Sequence, residues 1–276
     1  MAENDAPLSL TSTKMNLGRE QTRRWLDEVI LPNARALARL SFFACLPYPL
    51  IPDAQRQLAG SGVSAGAQNC WHSDGAATGE VSAGLLAELG CGQVMLGHAE
   101  RRRLFQEDDS LIARKATAAA GAGMTPVICV GEERRVAARS AADHVAEQAR
   151  RALAEVPARH PALVLYEPAW AIGSAHGAEP GHAASVLETL RSALPRPATH
   201  FLYGGAVTPG TYTALRARAP WHGVAVGRAA QDSGVLHEVT DELLAAASQR
   251  DGRRTDRRRR SDEHGQDRAV RHGGRP

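Results

Sequence analysis

The sequence has 276 residues and a formal net charge of +3, and 43% of its residues are hydrophobic. These values are ordinary for a globular protein, and no apolar run approaches the roughly 18 residues that a membrane-spanning helix needs. The N-terminal MAENDAPLSL has no basic stretch followed by an apolar core, so we expect no secretory signal and a cytoplasmic location.

The basic charge is concentrated at the C-terminal end. From Arg250 onward ten arginines face five acidic residues, whereas the preceding residues carry 23 basic and 25 acidic side chains. This tail has almost no apolar residues to bury, which predicts disorder. We therefore expect a folded domain over residues 1–249 and a disordered Arg-rich tail over residues 250–276. A run such as Arg257–Arg260 can contact polyanions, but such runs are more often simply solvated, so we do not expect specific nucleic-acid binding.

Short apolar runs, which predict strands, alternate with longer Ala-, Leu- and Arg-rich stretches. Most of the runs are near-continuous, which is typical of parallel strands buried on both faces. They lie at Leu8–Ser12, Phe42–Cys45, Val63–Ala67, Gln93–Leu96, Pro126–Val130, Ala162–Tyr166, Phe201–Tyr203 and Gly223–Val226.

Between these runs the spacing of apolar residues predicts helices, among them Glu20–Ala38, Ser110–Ala122 and Ala137–Ala154. Eight strand–helix repeats in about 245 residues favour a single-domain α/β protein with a closed (β/α)8 TIM barrel over an open doubly wound sheet. The active sites of such barrels lie at the carboxyl ends of the strands. Polar or glycine residues follow the predicted strands at Lys14, Gln68–Asn69, His98 with Glu100, Gly131–Glu132, Glu167–Pro168, Gly204–Gly205 and Gly227–Arg228.

The four cysteines show no CxxC or His-rich spacing that would indicate a metal site. Their mostly apolar surroundings predict reduced, buried thiols.

Several of the strand-end segments resemble the triosephosphate isomerase family, in order, from about Lys14 to Asp232. The matching segments are KMN at Lys14–Asn16, LGHAERRRLF at Leu96–Phe105, PVICVGE at Pro126–Glu132, YEPAWAIG at Tyr166–Gly173 and LYGGAVTP at Leu202–Pro209. The resemblance implies an aldose–ketose isomerase that interconverts dihydroxyacetone phosphate and glyceraldehyde 3-phosphate through an enediolate. No metal or organic cofactor is expected for this chemistry.

The resemblance also implies roles for individual residues. Glu167 matches the family's catalytic base, and His98 matches the electrophile that polarises the substrate carbonyl. The pairing of a glutamate base with a neutral imidazole is a known example from this family rather than a derivation from the sequence. Lys14 would place a positive charge against the enediolate, and Glu100 matches a second glutamate near that lysine.

The segment Pro168–Pro180 resembles the family's closing lid, which keeps water from the enediolate and suppresses loss of phosphate. The resemblance places the substrate phosphate among backbone N–H groups of Gly173, Ala206 and Gly227–Arg228. Fixed backbone donors suit a dianion because they need no reorientation.

The chain departs from the family at several of these positions. Ser12 stands where the family has a substrate-binding Asn, and Ala206 replaces a Ser. In the lid, Ala175 and His176 replace Gly and Lys. Arg228 replaces the second Gly of the phosphate loop, where its side chain could clasp the phosphate or point outward.

These departures leave alternatives open. Ser12 and the Gly–Arg pair also occur in relatives that isomerise a four-carbon keto-sugar phosphate, L-erythrulose 1-phosphate, and a shorter side chain at position 12 leaves room for one more carbon. A barrel that has lost catalysis and acts as a binding module is a further alternative, as is a polyanion-binding protein acting through the tail. The segment Gln68–Glu80 matches the loop with which family members grip a second subunit, so a homodimer is expected, with Thr78 near the partner's active site.

Overall fold

The computed structural model describes residues 7–174 and 176–248. The predicted tail and the lid position Ala175 lie outside the described residues, and so do the first six residues.

Within the described part of the chain, eight parallel strands close into a barrel in sequence order, with β8 paired to β1. This confirms the predicted (β/α)8 barrel, and the observed strand bounds differ from the predicted ones by at most two residues. The strands are β1 Leu8–Ser12, β2 Phe43–Leu46, β3 Ser64–Ala67, β4 Gln93–Leu96, β5 Thr125–Val130, β6 Ala162–Tyr166, β7 Thr199–Tyr203 and β8 Gly223–Ala225.

The barrel strands are buried on both faces because successive side chains point alternately inward and outward. On β5, Val127 and Cys129 belong to a compact cluster inside the barrel, whereas Ile128 and Val130 belong to the larger core between the sheet and the helices. This explains why the strands are near-continuous apolar runs in the sequence.

Helices surround the barrel. Within the part of the chain that the structure describes, no helix is long and apolar enough to cross a membrane. Most of the helices pack an apolar stripe on the outer face of the sheet, whereas α5 buries none of its residues. The α-helices are α1 Arg19–Trp25, α2 Ala34–Arg39, α3 Ile51–Gln57, α4 Ala83–Glu88, α5 Ala99–Phe105, α6 Asp109–Gly121, α7 Ala138–Ala152, α8 Pro180–Ala193 and α9 Thr211–Arg216, and residues 233–248 are also helical.

The helix predicted over Glu20–Ala38 is not a single regular α-helix. Between α1 and α2 the chain forms a π-helical turn over Leu26–Ile30 and a 3-10 turn over Leu31–Asn33. Pro32 accounts for the change, because proline has no N–H to donate and its ring excludes the carbonyl four residues earlier.

A buried ion pair joins α6 to the loop that follows α5. Lys115 Nζ lies 2.5 Å from Glu107 Oε1 and 3.0 Å from Asn69 Oδ1, and both charged side chains are at most 3% exposed. Arg101 Nε also donates to Glu107 Oε1, at 2.7 Å. Because Asn69 follows β3, this cluster fixes two strand-end loops relative to each other.

Replacing Glu107 by Gln should destabilise the fold by about 3–5 kcal/mol, because the buried Lys115 ammonium then has no counter-charge. Urea unfolding at a fixed protein concentration measures the loss. Glu147→Gln is the matched control, since Glu147 is an exposed carboxylate paired with Arg150 and Arg151, and it should change the unfolding free energy much less. Adding Lys115→Met to Glu107→Gln should recover part of the loss. Equal losses for the buried and the exposed glutamate would contradict this account.

Candidate active site

His98 and Glu167 face each other at the carboxyl ends of β4 and β6. His98 Nε2 lies 3.2 Å from Glu167 Oε2, and the two side chains are only 9% and 15% exposed. Glu167 Oε2 is buried and makes no hydrogen bond among the described residues. A buried carboxylate oxygen without a hydrogen-bond partner is costly, and a catalytic role is one reason for a protein to keep one.

The imidazole of His98 is oriented by the helix that it begins. His98 is the N-cap of α5, and its Nδ1 accepts a hydrogen bond from the backbone N–H of Glu100, at 3.2 Å. An accepting Nδ1 must keep its lone pair, so a neutral ring carries its proton on Nε2. That N–H faces the Glu167 carboxylate, where it can donate to a substrate oxygen.

Two glycines leave the space that Glu167 occupies. A Cβ at Gly131, which follows β5, would lie 2.1 Å from the Glu167 carbonyl oxygen, so only glycine fits there. At Gly204, which follows β7, a Cβ would lie 3.3 Å from Glu167 Cβ. The neighbouring strand ends therefore press closely against the Glu167 backbone and side chain.

Lys14 approaches the same cluster from β1. Its Nζ donates to Glu100 Oε1 at 2.5 Å, and Glu100 Oε2 lies 3.6 Å from His98 Nδ1. The Lys14 backbone is left-handed, with φ 50°, a strained conformation that is uncommon outside glycine. Burial acts to raise the pKa of Glu100, but the hydrogen bond from Lys14 and the nearby positive charges outweigh it and lower that pKa below its usual value.

Ser12 and Gln68 line the space beside Lys14. Ser12 Oγ lies 3.3 Å from the Lys14 amide nitrogen and 3.3 Å from Gln68 Nε2. Gln68 Nε2 also lies 2.8 Å from the carbonyl oxygen of Lys14, which holds the loop after β1 in place. A cavity of about 500 Å³ opens here, lined by these three side chains together with His98 and Glu100.

The lid segment, residues 168–180, is anchored near both ends. Trp170 Nε1 donates to Glu132 Oε1 at 2.9 Å, and the backbone N–H of Ala178 donates to Tyr203 Oη at 2.7 Å. Burial raises the pKa of Tyr203 to about 12, so its hydroxyl stays neutral at physiological pH. These two hydrogen bonds hold the lid against the loops that follow β5 and β7.

The residues expected around the phosphate lie in and beside the lid. Arg228 Nη2 donates to the carbonyl oxygen of Gly173, at 3.0 Å, which joins the loop after β8 to the lid. Gly177 in the lid is so close to the loop after β7 that a Cβ there would lie 3.3 Å from the Ala206 carbonyl oxygen. Gly227 is the N-cap of the 3-10 turn that begins at Arg228, where backbone N–H groups have no partner within the turn.

Thr78 lies away from these groups, at the tip of an exposed loop between β3 and α4. The loop is closed at its base, where the backbone N–H of Trp71 donates to the Val81 carbonyl at 2.7 Å. Among the described residues of the single chain, Thr78 forms no hydrogen bond or ion pair with a catalytic candidate.

Sequence reasoning assigned no role to three residues that hold the lid. Glu132 was noted only as a strand-end residue, yet it accepts hydrogen bonds from Trp170 and, at 3.2 Å, from Tyr166. Tyr203 was placed in a strand and Trp170 in the lid motif. Their positions in the sequence could have marked them as candidates, because all three lie at or soon after the carboxyl end of a barrel strand, where active sites of such barrels form.

The cysteines are all buried and free, as predicted. Cys129 lies inside the barrel near Glu167, and burial, followed by that negative charge, raises the pKa of its thiol. A neutral buried thiol is a poor nucleophile. Over the described residues, no group of three or more His, Cys, Asp or Glu side chains is arranged to hold a metal ion.

Comparisons with known proteins agree with this arrangement. The sequence model of the family described as triosephosphate isomerase matches residues 7–242. The chain is 37% identical to the L-erythrulose-1-phosphate isomerase of Pectobacterium atrosepticum over 256 residues, covering 86% of this chain and 96% of that protein. It is 38% identical to the triosephosphate isomerase of Bordetella pertussis over 255 residues, covering 90% and 98%. It is 36% identical to that of Idiomarina loihiensis over 237 residues, covering 82% and 93%.

Replacing Glu100 by Gln should lower stability in a pH-dependent way. Because the pKa of Glu100 is lowered in the folded chain, its stabilisation is fully present above the ordinary carboxyl value of 4.5 and disappears as the pH falls through the lowered pKa. We expect the free energy of unfolding to fall by no more than about 1 kcal/mol at neutral pH, since the side chains of Lys14 and Glu100 are both about one-third exposed. Urea unfolding of both proteins from pH 7 to pH 3 tests this, and a difference that grows towards acid pH would contradict it.

Proposed function

Because the chain belongs to the triosephosphate isomerase family, we propose that it interconverts dihydroxyacetone phosphate and glyceraldehyde 3-phosphate, the isomerase step shared by glycolysis and gluconeogenesis. The observation that carries the proposal is the contact of Glu167 Oε2 with His98 Nε2, at 3.2 Å, in a nearly buried site. A carboxylate without a hydrogen-bond partner and an imidazole N–H then meet where a small substrate can enter.

Glu167 is the proton carrier in the proposed reaction. Its carboxylate removes a proton from the carbon beside the substrate carbonyl, leaving an enediolate, and returns the proton to the adjacent carbon. Close packing of Gly131 against the Glu167 backbone and of Gly204 against its Cβ and Cγ restricts where the carboxylate can lie. Such positioning supplies much of the rate gain, because a shift of about 1 Å can cost about 100-fold.

His98 and Lys14 stabilise the charge that develops on the substrate oxygens. The Nε2–H of His98 donates to the carbonyl oxygen as it becomes negative, and the fixed direction of this N–H means that it needs no reorientation. Lys14 contributes a positive charge, and Glu100 holds its ammonium by a 2.5 Å hydrogen bond. Glu100 therefore orients Lys14.

The lid and the loops after β7 and β8 hold the phosphate in this proposal. Backbone N–H groups of Gly173, Ala206, Gly227 and Arg228 would bind the dianion, and Ala206 supplies only its backbone because it lacks a hydroxyl. A lid held by Glu132 and by the Tyr203 hydroxyl would exclude water from the enediolate.

A four-carbon keto-sugar phosphate of the L-erythrulose 1-phosphate type is the second candidate substrate. Ser12 favours it, because its short side chain borders the cavity beside Lys14 and Gln68 and leaves room for a further hydroxymethyl group. The Pectobacterium atrosepticum relative carries that name, and its identity to this chain is nearly the same as that of the triosephosphate isomerases. The chemistry of proton transfer is the same for both substrates.

A cytoplasmic homodimer is also part of the proposal. The cavity that contains Lys14 is bordered by Tyr48 and by the apolar side chains of Met15, Leu104 and Phe105, which are 92%, 62% and 62% exposed in the isolated chain. Exposed apolar side chains of this size favour a protein partner. In this proposal the exposed loop that carries Thr78 enters the cavity of a second copy, which would bring Thr78 close to the partner's Lys14.

An inactive barrel that serves as a binding module is a weaker candidate. The substitutions at Ser12 and Ala206 motivate it. The contacts of Glu100 with Lys14 and His98, and of His98 with Glu167, oppose it, because a barrel without catalysis has no need of them.

Incubation with dihydroxyacetone phosphate in deuterated water should incorporate deuterium at the adjacent carbon of the product and at the deprotonated carbon of substrate that is re-formed. Glu167→Asp withdraws the carboxylate by one methylene, so exchange should fall by about 100-fold or more, while inhibition by inorganic phosphate changes little. Glu133→Asp, in an exposed glutamate near the same strand ends, should leave exchange unchanged. NMR follows the exchange. Absence of uptake with both three- and four-carbon substrates would refute an isomerase.

The ratio of kcat/KM for dihydroxyacetone phosphate and L-erythrulose 1-phosphate tests the role of Ser12. Ser12→Asn should move the ratio towards the three-carbon substrate by about 10- to 100-fold, because the larger side chain fills the added space. Ser12→Ala is the matched control and should leave the ratio nearly unchanged. A wild-type ratio that favours the four-carbon sugar would assign the chain to the second candidate. Equal losses for both substrates in Ser12→Asn would refute Ser12 as the specificity determinant.

A further inference from the structure

Arg228 connects the loop after β8 to the tip of the lid. Its Nη2 donates to the carbonyl oxygen of Gly173, at 3.0 Å, across 55 positions of sequence. Gly173 has a left-handed backbone, with φ 73°, which side chains rarely adopt. The carbonyl oxygen that accepts the hydrogen bond from Arg228 therefore belongs to a residue whose backbone conformation favours glycine.

Hydrogen bonds hold the lid at its start, at its tip and at its end. Trp170 is held by Glu132 near the start of the lid, and the Ala178 backbone is held by Tyr203 near its end. The guanidinium of Arg228 holds the tip between them. Resting on the proposed function, we propose that Arg228 is a positioning residue that holds the lid tip over the phosphate of the substrate.

The chemistry of the guanidinium makes this contact responsive to substrate. Arginine carries five N–H donors in a planar fork, so a bond to the Gly173 carbonyl leaves further donors for an anion. A phosphate dianion bound at the Gly173 N–H would attract the same cation. Binding of the anion and closure of the lid tip thus reinforce each other. The Arg228 side chain is exposed, so salt screens part of this attraction.

Failure to hold the lid tip has a chemical consequence. An enediolate phosphate that is exposed to water can break its C–O bond, and the bonding electron pair leaves with inorganic phosphate. For the three-carbon substrate, the remaining neutral enol takes up a proton at carbon and loses its hydroxyl proton, and so tautomerises to methylglyoxal. The share of turnover lost to this elimination therefore reports how well the lid stays closed.

The experiment compares Arg228→Met, which removes the charge, with Arg228→Lys, which keeps it but loses the planar fork. Arg191→Met is the matched control, because Arg191 is an exposed guanidinium in the last turn of α8. Three quantities are measured in each protein: kcat and KM separately, the ratio of methylglyoxal to isomerised product, and the change of Trp170 fluorescence on adding inorganic phosphate. A Trp170→Phe protein identifies the contribution of that indole.

Arg228→Met should raise the methylglyoxal ratio and KM by about three- to tenfold, as expected for one partly solvated, charge-assisted hydrogen bond. In Arg228→Lys, KM should return part of the way to the wild-type value, and the methylglyoxal ratio should return less. The differences between these variants and the wild type should shrink at high salt. Arg191→Met should match the wild type. An unchanged methylglyoxal ratio in Arg228→Met, with an unchanged Trp170 response, would overturn the proposal.

The two proposals fail in distinguishable ways. If the wild type isomerises neither substrate, the proposed function is wrong, and the Trp170 response to inorganic phosphate still tests the role of Arg228. If the wild type is active and Arg228→Met equals Arg191→Met in every measurement, only the role of Arg228 is refuted.

Discussion

The hydrogen bond from the Glu100 amide to His98 Nδ1 is the constraint on which the rest of the site depends. It uses a backbone N–H that the first turn of α5 leaves without a partner, and it fixes which ring nitrogen carries the proton. The Nε2–H then faces Glu167 at 3.2 Å. A reversed tautomer would present a lone pair to the carboxylate, and His98 could then not donate to a substrate carbonyl oxygen in the proposed way.

The closed barrel supplies the geometry that this constraint requires. Side chains from β1, β4 and β6 converge because parallel strands present their carboxyl ends on the same rim. Lys14, His98 and Glu167 thus meet although they are far apart in sequence, and the buried pair of Lys115 and Glu107 fixes the loops beneath them. Rigid strands hold the groups that we propose to react, while the lid that we propose to exclude water is anchored by separate hydrogen bonds.

The sequence predicted the barrel well because parallel strands buried on both faces are short apolar runs. It predicted a regular helix across Pro32, where loss of one N–H changes the turn type. Lys14, His98 and Glu167 were found because matching motifs fall at strand ends. The lid anchors at Glu132 and Tyr203 were missed: their strand-end positions mark them as candidates, but their contacts depend on how three loops pack together.

The central claim is that His98 accepts the Glu100 N–H at Nδ1 and presents its Nε2–H to Glu167, and nitrogen-15 NMR of labelled histidine tests it most directly. At pH 7 the account predicts that the His98 Nε2 signal is that of a protonated nitrogen and the Nδ1 signal that of an unprotonated one. His98→Asn identifies the signals. A ring protonated on both nitrogens, or on Nδ1 alone, would contradict the account.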